Sequence, residues 1–161
     1  MEPLVFTDSL KFGVAVIDRQ HRRMVEIVNA LLRAVLDHKL GKPEDQLLDE
    51  LVRLADLNFH TEEVWMRRCC YEHCEAHSAS HTHLLRELAG LRDGMLLRHE
   101  DLNRKTVFFV RRWLENHLVH SDRELADAIR HCRREEAIAK RRRTSRPGRN
   151  MPNALNKEKA R

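Results

Sequence analysis

Residues 47–69, LLDELVRLADLNFHTEEVWMRRC, place Leu47, Leu51, Leu54, Asn58, Glu62, Trp65 and Cys69 at successive intervals of 4, 3, 4, 4, 3 and 4. That alternation of threes and fours is the period of one face of an α-helix. The face is largely apolar and so predicts burial, yet it carries an amide and a carboxylate one turn apart. A polar or charged group taken out of water costs several kcal/mol unless it is paired or binds a metal. The stretch therefore predicts a core helix and, facing it, something that satisfies Asn58 and Glu62.

The same pattern recurs on both sides. His21, Val25, Val28, Leu32 and Val35 predict a helix from Asp18, closed by Gly41 and Pro43. His77, His81, Leu84 or Leu85, Leu88 and Leu91 predict a third over 75–97. Val107, Val110, Leu114, His117, Ser121 or Asp122, Leu125 and Ile129 predict a fourth over 103–134, with Trp113 beside the stripe. Four amphipathic helices with short connections favour antiparallel neighbours. The expected fold is an all-α, up-down-up-down antiparallel four-helix bundle over residues 1–134. The preceding segment FTDSLKFGVAV, residues 6–16, lacks helical period and reads as an extended arm lying on the bundle.

Composition agrees. The chain has 161 residues, the size of one domain, with 42% hydrophobic and 34% charged residues and only 5 Gly and 4 Pro, which suits long helices and not a turn-rich sandwich. The net charge of +5 suggests nucleic acid at first sight. Much of the excess lies after residue 130, and residues 135–161 read as a basic, disordered extension poor in bulky apolar groups. A solvated tail without a specific nucleic-acid or membrane partner is expected, contact with an anionic surface being the alternative. Neither a secretion signal nor an apolar run near the ~20 residues of a membrane span is seen, so a cytoplasmic location is expected. Cys69, Cys70 and Cys74 then read as free thiols in preference to disulfides or a zinc site, because their spacing with His73 and His77 matches no standard zinc pattern.

Eleven His residues are the outlier. His83, His99, His120 and His131 lie off the inward faces or beyond the site and are predicted at the surface. His21, His77, His81 and His117 interrupt the apolar stripes, as do Glu62 and Asp122. Polar groups carried inward on four separate helices point to a shared metal site. Imidazoles and carboxylates without thiolates suit iron better than a structural zinc site, carboxylates bridge ions readily, and six ligands are too many for one ion with an open position. Two metals are expected in preference to one.

FGVAVIDRQH, NFHTEEVWM, His77-x3-His81 and WLENHLVHSD together resemble, in order and spacing, the signature of the bacterial hemerythrins over residues 4–132. The resemblance implies a non-heme di-iron protein that binds oxygen or a related small ligand such as nitric oxide or peroxide. It implies that His77, His81 and His117 hold one iron, His21 the second, and that Glu62 and Asp122 bridge them. Two positions depart from the family pattern. Phe6 replaces a Trp in the arm, a tolerated aromatic swap. Asn58 stands where the family has a His ligand to the oxygen-binding iron, leaving that iron under-ligated or labile, or the site with one ion. His60 falls on the polar face, so it does not replace that ligand unless the helix shifts register to present His60 and Glu63. Three classes of function remain open: an oxygen-binding protein for carriage, storage or sensing, an oxidase or peroxidase at a variant site, and a metal-buffering or regulatory bundle.

Overall fold

Every regular element among the described residues is helical. The computed structural model describes residues 2–37, 42–98 and 102–144, and the side chains of 42–44 and 95–98 lie outside that description. A single 3-10 turn at Asp8–Leu10 interrupts the arm. It is followed by α1 (Ala15–Leu36), α2 (Lys42–Arg68), α3 (Cys74–Arg98), α4 (Arg104–Asn116), a π-turn at His117–Ser121 and α5 (Asp122–Thr144). α4, the π-turn and α5 follow one another without a break and form one rod, so the bundle has four. α1 packs on α2 and α4, α2 on α3, and α3 on α4. His21 near the start of α1 meets Glu62 near the end of α2, which meets His81 near the start of α3. Consecutive helices therefore run antiparallel, as expected.

The buried face of α2 is centred one residue away from the predicted stripe. Leu48, Ala55, Phe59 and Met66 are fully buried, whereas Leu47, Leu54 and Trp65 are half-buried. A bundle helix touches two neighbours and buries a band wider than one line of residues. Trp65 packs at the margin, with the Arg68 and Arg133 guanidinium groups 4.8 and 4.6 Å from its ring centre. Inside, the apolar core falls into two parts. The larger gathers residues such as Val28, Leu51, Phe59, Leu88 and Leu114. The smaller gathers Phe12, Val14, Ile17, Met66, Leu125, Ala126 and Ile129. Between the two parts lie the inward polar residues.

Backbone chemistry ties the arm to α1. The helix starts at Ala15, earlier than the predicted Asp18, and the Asp18 carboxylate in its first turn accepts the N–H groups of Phe12 at 2.6 Å and Gly13 at 3.2 Å. Gly13 has φ +86°, a left-handed conformation that only glycine adopts cheaply, and it turns the arm into the helix. Farther out, Asn29 accepts from the Leu4 N–H and donates to the Leu4 carbonyl, both at 2.8 Å. Phe6 packs half-buried under the Arg22 guanidinium, 5.1 Å away.

Three boundaries differ from expectation. Pro43 does not close the first helix. It lies in the first turn of α2, where its fixed φ and missing N–H are tolerated. α3 begins at Cys74, because α2 stops in a Schellman turn: the Tyr71 N–H bonds the Met66 carbonyl at 3.0 Å, the Cys70 N–H bonds the Arg67 carbonyl at 3.3 Å, and Cys70 takes φ 49°. The fourth rod continues to Thr144 and does not end at Arg134, so the expected disorder is corrected for 135–144, which form a solvent-exposed helix. Residues 145–161 lie outside the described residues, as does His99.

Cys70 occupies a position that favours glycine, so Cys70→Gly is expected to raise the unfolding free energy by about 1 kcal/mol. Asp18→Ala, which leaves two arm N–H groups without their acceptor, is expected to lower it by about 1–2 kcal/mol. Urea melts of the three proteins check both signs.

Candidate metal centre

Six of the inward polar side chains converge at one level of the bundle. His21, Glu62, His77, His81, His117 and Asp122 are all at most 4% exposed. The two carboxylates stand between unequal sets of imidazoles. On one side, His77 Nε2 and His117 Nε2 lie 3.3 and 3.1 Å from Asp122 Oδ1, and His81 Nε2 lies 3.1 Å from Glu62 Oε2. On the other, His21 Nε2 lies 3.0 Å from Glu62 Oε1 and 3.5 Å from Asp122 Oδ2. Each carboxylate thus turns one oxygen toward the three-imidazole side and the other toward His21.

The spacing fits metal ions and does not fit a hydrogen-bonded core. His77 Nε2 and His81 Nε2 stand 3.3 and 3.1 Å from His117 Nε2, where ring nitrogens face ring nitrogens. Buried without any hydrogen-bond partner are Glu62 Oε2, both Asp122 oxygens and the Nδ1 atoms of His21, His77 and His81. An octahedral ion with bonds of about 2.1 Å sets adjacent ligand atoms about 3.0 Å apart, close to these separations. Glu62, His77, His81, His117 and Asp122 bring one ligand atom each within 4.8 Å of one another, and this is the one such group among the described residues.

The π-turn positions Asp122. In a regular α-helix five residues turn through about 500°, which would leave Asp122 about 140° away from His117. Here the Asp122 N–H bonds back to the His117 carbonyl, so residues five apart stack one above the other. This resolves the choice between Ser121 and Asp122: Asp122 is buried and Ser121 is half-exposed. Aromatic rings then hold each imidazole. Phe59 stacks on His81 at 3.9 Å, Trp113 stacks on His117 at 4.3 Å, and Phe12 and Tyr71 meet His21 and His77 edge-on at 5.9 and 6.1 Å. Phe12, Phe59 and Tyr71 were not singled out from sequence. Their signal was adjacency, Phe59 standing beside Asn58 and Phe12 in the arm signature.

Residues 13–129 match the model of the Hemerythrin HHE cation binding domain family. The chain belongs to the hemerythrin family. It is 33% identical over 131 residues to a bacteriohemerythrin of Pseudomonas paraeruginosa, covering 81% of this chain and 84% of that one. It is 31% identical over 118 residues to a bacteriohemerythrin of Methylococcus capsulatus, covering 70% and 87%. Among solved structures, a wild-type hemerythrin crystal structure superposes with a TM-score of 0.70 at 26% identity, over 80% of this chain and 98% of that one. The hemerythrin domain binds a non-heme di-iron centre and, through it, oxygen or related small ligands, and this hemerythrin has the buried His and carboxylate cluster such a centre needs.

Asn58 is fully buried on the face that carries Glu62, while His60 is exposed and the Glu63 side chain is 30% exposed. The register is therefore that of Asn58 and Glu62, not that of His60 and Glu63. The Asn58 amide donates to Gln20 Oε1 at 3.3 Å, and its carbonyl oxygen is buried with no hydrogen-bond partner. His83, His120 and His131 lie at the surface, as expected.

Charge in the metal-free cluster is strongly perturbed. Burial pushes the Asp122 carboxyl up, but the facing charge of His117 and His21 outweighs it and holds the group well below the usual carboxylate range. Glu62 is pushed up by burial and by Asp122 and is brought below its ordinary value by the facing His21 and His81 imidazoles. Burial lowers His81, whereas in His21 the effect of burial is overcome by Asp122 and Glu62 and the net shift is upward. The depressed carboxylates stabilise the fold above the ordinary carboxylate range, a contribution lost as pH falls through their folded values. The raised His21 contributes below about pH 6.5 and loses its contribution as pH rises through its folded value. Chelated protein is expected to melt highest in mildly acidic buffer. Iron-loaded protein is expected to melt highest at neutral pH or above, because protons compete with metal for the same ligands. Thermal melts across pH with and without chelator check the crossing. Deleting Val119, which is 43% exposed, shortens the His117 to Asp122 spacing to the four residues of a regular helix turn, so iron binding is expected to survive. Iron analysis of the deletion protein tests this, and loss of metal would show that the π-turn itself is required.

Proposed function

We propose that His77, His81 and His117 hold one iron, that His21 holds the second, and that Glu62 and Asp122 bridge the two. The observation that carries this reading is the division of both carboxylates, one oxygen of each facing His21 and the other facing the three imidazoles. Bound there, the iron pair supplies the redox-active position at which dioxygen, nitric oxide or peroxide binds for carriage, storage or sensing.

The chain's own residues set the terms. Three imidazoles and two carboxylate oxygens surround one side and leave little room for an added ligand. The other side has His21 and the two remaining carboxylate oxygens, with the carbonyl of Asn58 as the only further donor on that face of α2. Phe12, 2% exposed, lies against His21 and excludes bulk water from that side. The open position of this hemerythrin therefore lies on the His21 side. An amide oxygen donates more weakly than an imidazole, which favours a second iron that exchanges readily and is oxidised more easily. That feature supports the second reading, oxidase or peroxidase chemistry at the same position. The absence of a membrane-crossing helix among the described residues and the free state of the four cysteines support a cytoplasmic location.

Reconstitution with ferrous iron is expected to load two irons per chain, with the second lost first on dialysis against a weak chelator. After anaerobic reduction, air is expected to give an oxygenated absorption band. A band that persists and reverses under vacuum supports binding, and rapid bleaching with peroxide turnover supports the enzyme. Asn58→His is expected to slow loss of the second iron and lengthen the life of the oxygenated form. No change in either would show that Asn58 does not border the open position.

A further inference from the structure

The end of α2, the turn that follows it and the first part of α5 flank an open cavity of about 660 Å³, whose lining includes none of the six converging side chains. Cys69 and Cys132 both line it, with Arg68, Cys70, Tyr71 and His131 among the other walls. Cys69 follows the last residue of α2 and is half-buried against the smaller apolar cluster. Cys132 of α5 is its neighbour across this cavity, close enough to influence the Cys69 thiol. All four cysteines are free.

The surroundings hold this pair in register. The Arg68 guanidinium binds Glu136 on α5 at 2.8 and 3.0 Å, and Arg133 of α5 lies over the Trp65 ring of α2. Two cross-links of different chemistry therefore fix the two helices at the level of the thiols. The same Arg68 places its guanidinium close enough to interact with both sulfurs. Burial and the neighbouring Cys132 push the Cys69 thiol up to about 12, so Cys69 keeps its proton.

We propose that Cys69 and Cys132 are a reversible redox pair, closed to an intrachain disulfide by a hydroperoxide and reopened by a dithiol reductant. The Cys132 thiolate attacks the outer peroxide oxygen. The O–O bond breaks, a Cys132 sulfenic acid forms, and hydroxide or alkoxide leaves and takes up a proton. The Cys69 sulfur then attacks the Cys132 sulfur, the S–O bond breaks, and the hydroxyl leaves with the Cys69 proton as water. Overall the two thiols lose two protons and two electrons, and hydrogen peroxide is reduced to two waters. Reopening oxidises the dithiol by the same count. The bond joins α2 two turns beyond Glu62 to α5 beyond Asp122, so oxidation staples together the two helices that carry the carboxylates. The chemistry of the pair does not depend on iron.

The test uses the full-length, iron-loaded, reduced protein treated with equimolar hydrogen peroxide and, separately, with diamide. Samples are alkylated and mapped by mass spectrometry. Both oxidants are expected to remove two alkylatable thiols and two hydrogens per chain, to yield a Cys69–Cys132 linked peptide, and to be reversed by dithiothreitol. The link is expected to vanish in Cys69→Ser and Cys132→Ser and to persist in Cys70→Ser. In Cys69→Ser, Cys132 is expected to stop at a dimedone-reactive sulfenic acid. Circular dichroism of the variants establishes that each is folded. Retention of all four thiols, oxidation confined to Cys70, or links formed only between chains would overturn the proposal.

Discussion

Two carboxylates, Glu62 and Asp122, are buried among four imidazoles inside a helical bundle, and the rest of the molecule is arranged around satisfying them. Neither carboxylate has a lysine or arginine partner among its contacts. Burying such a pair with incomplete hydrogen bonding is costly enough that a protein of ordinary marginal stability needs a compensating ligand. A pair of cations in contact with both carboxylates would supply that compensation. The polar layer is also what separates the apolar core into two parts, with Phe59 and Leu118 on one side and Phe12, Met66 and Leu125 on the other. Stability in this chain is therefore expected to follow metal occupancy, because the cluster is a layer of the core and not a pocket on its surface.

The scaffold holds the ligands by three separate means. Helical spacing puts Asn58 over Glu62 and His77 over His81. The π-turn brings His117 and Asp122, five residues apart, onto the same face. Aromatic rings fix the imidazole planes, with Phe59 and His81 inclined by only 5° and Trp113 and His117 by 18°. The arm adds the last piece, since Phe12 is held by the Asp18 carboxylate through the backbone and so seals the His21 side. A change in the arm should thus be felt at the proposed open position beside His21.

Much of this was legible in the sequence. The four stripes, the antiparallel order and the six converging side chains follow from periods of three and four and from the cost of burying charge. The position of Asn58 relative to His60 follows from 100° of helical rotation per residue, and burial bears it out. What was not legible has identifiable causes. The exact centre of the α2 face depends on which neighbours flank it, so Ala55 and Met66 displaced Leu54 and Trp65. A π-turn leaves no composition signal beyond an ambiguous spacing, here Ser121 or Asp122. The extension of α5 to Thr144 is helix propensity and charge pairing without a buried face, which a reading based on apolar surface misses. The contact between Cys69 and Cys132 spans two helices, and no local pattern announces it.

Everything proposed for this site depends on two irons sharing Glu62 and Asp122. Electron paramagnetic resonance of the oxidised, iron-loaded protein, read together with its iron content, tests this most directly. Bridged ferric ions couple their spins, so two irons per chain and a nearly silent spectrum are expected. An isolated high-spin ferric signal accounting for all the iron would contradict it.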